Sequence, residues 1–233
     1  MYPGIERVIS RRSTFNRALA DFAAKTHELT TKAVDGRSYV LVEQLQKWMR
    51  DLTILDNKYV TNTDLLAHAA YYQRSNFPPI VPSRISEQGA DCCVIVFSIL
   101  LDLELGHLID VFSKKTIVDR RLPEDLLSLK RKLKGLEDGE DVAERFNKRQ
   151  WKFCPATFSM NMEQEYFEDR IIPICRKTHL NAGGTAKVWQ IVVQAEFVDK
   201  NLRNMLAEDA EAFYDDRDYG PVSHSFHCHE AER

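Results

Sequence analysis

Leu180-Asn181-Ala182-Gly183-Gly184-Thr185-Ala186-Lys187-Val188-Trp189 lies within the region, from Phe167 on, where the hydrophobic period of this chain has changed. Downstream, Lys187 to Val198 alternates and holds Val188, Ile191, Val192, Val193, Phe197 and Val198. Upstream, Ile171-Ile172-Pro173-Ile174 is β-rich. Two such runs around a Gly-Gly pair predict a β-hairpin, because glycine supplies the positive φ that a tight turn needs. Before Pro155 the period is close to 3.6 instead. The fold class expected is therefore mainly α: a helical region over 5–153, followed by a small β-hairpin near 180–198.

The helical reading rests on several segments. Val8, Phe15, Leu19, Phe22, Thr26 and Leu29 follow three- and four-residue steps. They predict a helix over 5–33, with Ser13 or Thr14 as an alternative start. Asp35-Gly36 is a turn signal. Residues 38–55 repeat the helical period through Leu41, Leu45, Trp48, Met49 and Leu52. Thr61, three before Asp64, is a loose capping box ahead of a helix from 62 to about 75. Asn76-Phe77-Pro78-Pro79-Ile80-Val81-Pro82 blocks helix and reads as a linker, since proline removes amide donors and fixes φ. Glu87 to Lys115 is apolar almost all round and predicts one central buried helix, loosened at Gly106. Short helices follow over 126–133 and 142–153. These segments suggest a division into N-terminal helices (1–80), a central helical region (81–160), a hairpin region (161–198) and an acidic, disordered tail (199–233).

The 233 residues are 44% hydrophobic and 29% charged with net charge −3, ordinary for a soluble globular chain. No global basic field exists to recruit nucleic acid or anionic membrane. Neither a secretory leader nor a spanning segment is visible, so a cytoplasmic protein is the default expectation. Five cysteines without C-x-x-C spacing support neither a zinc ribbon nor a thioredoxin motif. They read as reduced thiols. Residues 192–233 hold 10 acidic and 4 basic residues, against 25 and 28 in the rest, which is the basis for the expected tail.

A protein kinase places G-x-G-x-x-G-x-V between its first two strands, where backbone amides cover the ATP phosphates. Small residues are needed because a side chain would hold the loop away. Here Gly183 falls on the second glycine position and Val188 on the valine. Asn181 replaces the first glycine and Ala186 the third; Leu180 and Gly184 complete the candidate loop. A plain Gly-Gly hairpin turn is the competing reading. The neighbourhood extends the match. Asn147-Lys148-Arg149-Gln150-Trp151-Lys152-Phe153-Cys154-Pro155, then Ile171-Ile172-Pro173-Ile174, then the glycine hairpin stand in an order that resembles filamentous-fungal protein-kinase-like proteins. Ile99-Leu100-Leu101-Asp102-Leu103-Glu104-Leu105-Gly106-His107-Leu108-Ile109 and Arg121-Leu122-Pro123 resemble the same region. The likeness covers roughly 90–195. It implies the start of a kinase N-lobe, with ATP and magnesium as cofactors only if the loop functions.

The departures bear directly on chemistry. Phosphoryl transfer needs a third-strand lysine, an H-R-D loop and a D-F-G metal site. None of these strings occurs, and Lys200 is the only lysine after Val198. Only 35 residues follow Val198, too few for a kinase C-lobe. The expectation is a truncated, non-catalytic helical interaction or regulatory region with an incomplete glycine loop, its partner a protein bound through the helical region. A fragment of an active serine/threonine kinase and a plain helical structural protein are the alternatives. No catalytic residue and no metal site is assigned. His224-Ser225-Phe226-His227-Cys228-His229 reads as an unstructured terminus, with scavenging of nickel or zinc as the alternative. Asp215-Asp216-Arg217-Asp218 lacks the glycine and terminal glutamate of a calcium loop and reads as a solvated run. Lys130, Arg131, Lys132 and Lys134 read as a solvated helix end rather than a phosphate patch.

Overall fold

The computed structural model describes residues 3–74, 79–82, 85, 89, 91–160, 168–183, 186–208 and 223–231. For 3–11, 180–183, 186–188, 206–208 and 223–231 the backbone alone is described. The protein is helix-rich with small antiparallel sheets. Its residues group into two compact units. The first comprises Met1–Leu29 and Val40–Phe153, the second Thr30–Tyr39 and Cys154–Arg233.

The first unit begins with α1 (Pro3–Glu28), which buries Phe15, Ala18 and Phe22 on one face. α2 (Val42–Arg50) buries Val42, Leu45 and Met49. β3 (Leu52–Leu55) and β4 (Lys58–Thr61) then form an antiparallel hairpin, Leu52 opposite Thr61 and Leu55 opposite Lys58. α3 (Asn62–Gln73) starts at the expected capping box. The Asp64 amide donates to Thr61 Oγ1 (3.0 Å), and the Thr61 amide donates to Asp64 Oδ2 (2.9 Å).

Residues 5–153 are not uniformly helical. Four short strands lie between 30 and 61: β1 (Thr30–Lys32), β2 (Ser38–Val40), β3 and β4. The helix expected over 38–55 is thus a strand, a nine-residue helix and a second strand. The physical reason is a turn signal weaker than glycine. Asp56 and Asn57 both adopt positive φ, 49° and 61°, which Asp and Asn tolerate better than most residues. Two successive positive-φ residues suit a tight hairpin, not a helix.

The helix expected over 87–115 is also divided. α4 (Val94–Asp102) buries Val94, Val96, Phe97, Ser98, Ile99, Leu100 and Leu101. Its end is a Schellman motif: the Leu105 amide donates to Leu100 O (2.7 Å) and the Glu104 amide to Leu101 O (3.0 Å), with Glu104 at φ 61°. A 3₁₀ turn (Gly106–Leu108) and α5 (Ile109–Lys114) follow. Gly106 sits where a Cβ would stand 2.8 Å from Leu101 Cδ2 and 3.0 Å from Ala70 Cβ. Close approach to α3 therefore explains this glycine. Asp119 caps α4 from outside, accepting the Ile95 amide at Oδ2 (3.0 Å) and the Val96 amide at Oδ1 (2.9 Å). α6 (Leu126–Lys132) is capped by Asp125, and α7 (Gly139–Phe153) packs Phe146 on Phe112 at 4.9 Å between ring centroids. Arg149 pairs with Asp102 (2.6 Å), joining α7 to the end of α4.

The second unit is built on a three-stranded antiparallel sheet. β5 (Ile174–Gly183) pairs β6 (Ala186–Gln194), which pairs β7 (Ser223–Ala231). α8 (Lys200–Glu208) lies between β6 and β7 in the chain. The β1–β2 hairpin joins this unit through the Val34 amide, which donates to Ile174 O (2.8 Å). Tyr39 is fully buried, its ring edge-on to Phe197 at 5.3 Å. The Arg37 guanidinium donates to the carbonyls of Glu168 and Arg170, both at 3.0 Å. The range expected to be a disordered tail thus contains a helix and a strand. Backbone pairing with β6 supplies what acidity alone left unread. Residues 209–222, including Asp215-Asp216-Arg217-Asp218, lie outside the described residues, as do 76–78 of the expected linker.

Candidate nucleotide site at the glycine hairpin

The hairpin forms where the glycine pair predicts it. Gly183 stands opposite Ala186, so two residues, Gly184 and Thr185, connect the strands; both lie outside the described residues. Asn181 is opposite Val188 and Ala182 opposite Lys187. The register shifts between His179 and Asn181, placing a bulge at Leu180. A bulge increases local twist and re-aims the residues beyond it. The backbone of Leu180, Asn181, Gly183, Ala186 and Val188 is therefore gathered at one end of the β5–β6 pair.

Sequence reasoning missed the third strand. β7 runs along the whole of β6 in unbroken register, from Ala186 opposite Ala231 to Gln194 opposite Ser223. Val188 thus faces His229. The one local signal for this strand was Gly220-Pro221 immediately before it, a breaker that delimits an extended run. Ser223–Ala231 contains no lysine and no arginine.

Below the loop end, Lys177 and His179 both meet the Trp189 ring. Lys177 Nζ lies 4.3 Å from the Trp189 ring centroid, and the His179 ring meets Trp189 edge-on at 4.9 Å. His179 and Trp189 are directly paired across the strands, and Lys177 stands diagonal to Trp189. This is ordinary cross-strand stabilisation of a sheet face.

Elsewhere in the second unit, the Tyr39 hydroxyl lies 3.2 Å from Cys175 Sγ. Burial pushes the Cys175 thiol above its ordinary value, and the Tyr39 phenol likewise. In the first unit burial pushes the Cys93 thiol up to about 12 and raises Cys92 as well. A nucleophilic cysteine needs the opposite shift. Two of the four cations at the expected basic helix end are paired: Lys130 with Glu144 (2.5 Å) and Lys132 with Glu124 (2.7 Å). Among the described residues no group of three or more His, Cys, Asp or Glu is arranged so that it could hold a metal ion, and no helix is long and apolar enough to cross a membrane. No protein-family model, curated protein or solved structure matches this chain.

Proposed function

We propose that this chain is a non-catalytic helical interaction or regulatory region of a protein-kinase-like protein, carrying an incomplete ATP-binding glycine loop. The observation that carries the reading is the make-up of the three-stranded sheet. A kinase N-lobe sets its glycine loop between its first two strands and its phosphate-binding lysine on the third. Here the glycine turn joins β5 and β6, the third position is taken by β7, and β7 offers no cation of the lysine or arginine type. The third strand would bring no lysine to the triphosphate. The charge that develops in phosphoryl transfer would lack both its lysine and its metal-binding aspartate.

The interaction part of the reading draws on the β3–β4 hairpin. Leu52, Ile54 and Tyr59 share one face of it and are exposed at 68%, 63% and 77%. Ile54 and Tyr59 are directly paired. A cluster of large exposed apolar and aromatic side chains on one strand face is characteristic of a surface used in protein contact. Incubating the chain with labelled Mg-ATP and a basic acceptor protein tests the catalytic half. No transfer above the protein-free blank is expected. Turnover that disappears in Gly183→Val would refute the non-catalytic reading.

A further inference from the structure

We propose that the cleft lined by α1, α2, β3 and α3 binds a small organic cation, a primary amine carried on an aromatic body. The cleft has a volume of about 420 Å³, within the roughly 300–1,000 Å³ typical of small-molecule sites. All of its lining belongs to the first unit. α1 contributes Asp21, Lys25 and Glu28, which steps of four and three residues place on one helix face. α2 contributes Trp48, β3 Thr53, and α3 Asn62 and Leu65. This lining is held together by its own bonds. Asn62 Nδ2 donates to the Trp48 carbonyl (2.9 Å), tying the end of α2 to the start of α3. The Trp48 ring leans on Phe22 at 6.4 Å between centroids and is only half-buried.

The charges of the lining select the sign of the ligand. Asp21 and Glu28 bring two carboxylates and Lys25 one ammonium, a balance of −1. Lys25 Nζ is held by Glu28 Oε1 at 2.8 Å, and its side chain is 26% exposed against 64% for Glu28. An anion would have to take Lys25 from Glu28 and then sit among both carboxylates. Asp21 stands 3.8 Å from the Arg17 guanidinium, whose side chain is 84% exposed, and such a pair is worth little in water. A ligand ammonium therefore gains the Asp21 carboxylate, with the Thr53 hydroxyl as a further acceptor. Its aromatic body gains the Trp48 ring and the apolar surface of Leu65. The site does not depend on the glycine loop or on its capacity for ATP.

Titration of the full chain with phenethylamine, followed through the indole N–H resonances of its three tryptophans, tests the assignment. Trp48→Phe identifies the Trp48 signal. That signal is expected to move saturably while those of Trp151 and Trp189 stay in place. Phenylacetate, which has the same ring and the opposite charge, is expected to leave all three unmoved. Asp21→Asn, at an exposed position that leaves the fold intact, is expected to weaken the amine about fivefold. Lys25→Gln removes the competing ammonium and is expected to tighten it about twofold or more. No saturable movement of the Trp48 signal up to about 10 mM amine would overturn the proposal. So would an equal response to phenylacetate, or an Asp21→Asn variant that binds the amine as the parent does.

Discussion

Asp119 shows how much one side chain can do at a distance in sequence. It lies 24 residues beyond Ile95, yet its two oxygens satisfy the Ile95 and Val96 amides at the start of the most buried helix. Burial pushes its carboxyl up, against the pull of those amides. Replacing a capping aspartate by alanine costs about 1–2 kcal/mol, and a buried, charge-assisted cap sits at the upper end. Asp119→Ala is therefore expected to lower stability by about 2 kcal/mol in urea unfolding, and Asp119→Asn by less. An unchanged midpoint in the alanine variant would show the cap to be dispensable. His107 makes a second prediction. Burial lowers its pKa, with the nearby charge of Arg74 acting in the same direction. As pH falls through about 6.5 the unfolded chain takes up a proton before the folded one does, so stability is lost on acidification. Urea midpoints are expected to fall between about pH 7 and about pH 5, and to fall less steeply in His107→Gln. Equal slopes in the two proteins would remove His107 from the account.

At the scale of elements, legibility followed the range of the signal. The capping box of Thr61 and Asp64 is a four-residue pattern, and α3 begins where it says. The β5–β6 turn is announced by adjacent glycines. Glu104 gives no such warning. A glutamate at φ 61° ends α4 because the Schellman bonds to Leu100 and Leu101, and tertiary packing beyond, outweigh its preference for the right-handed region. Asp56-Asn57 was equally quiet, since neither is glycine and the flanking residues also fit a helical period. β7 left only faint local traces, the Gly220-Pro221 breaker among them. Its pairing partner lies some thirty residues earlier, and period-two alternation among Ser, His, Phe and Cys is a faint pattern. The importance of α4 was legible, because a segment apolar all round has nowhere to go but inside. Leu101→Asp is expected to abolish cooperative unfolding of the first unit, since an unpaired buried charge costs more than the few kcal/mol that hold a domain together. A near-ultraviolet melt at the parental temperature would place Leu101 outside the core.

The whole chain combines a helix-rich unit with a second unit whose sheet carries the Gly183-Gly184 turn between its first two strands and no lysine or arginine on its third. The candidate site was half legible. The loop could be located from Gly183 and Val188, while the lysine-free strand beside it emerged only from the register of β7 on β6. Two missing charge-assisted contacts at about 1.5–3 kcal/mol each weaken a ligand by a factor of about 100 or more. Calorimetric titration of the full chain with Mg-ATP is the most direct measurement. No saturable heat is expected up to about 1 mM nucleotide, and Gly183→Val is expected to leave the trace unchanged. Micromolar binding that Gly183→Val abolishes would contradict the account and mark the hairpin as a working nucleotide site.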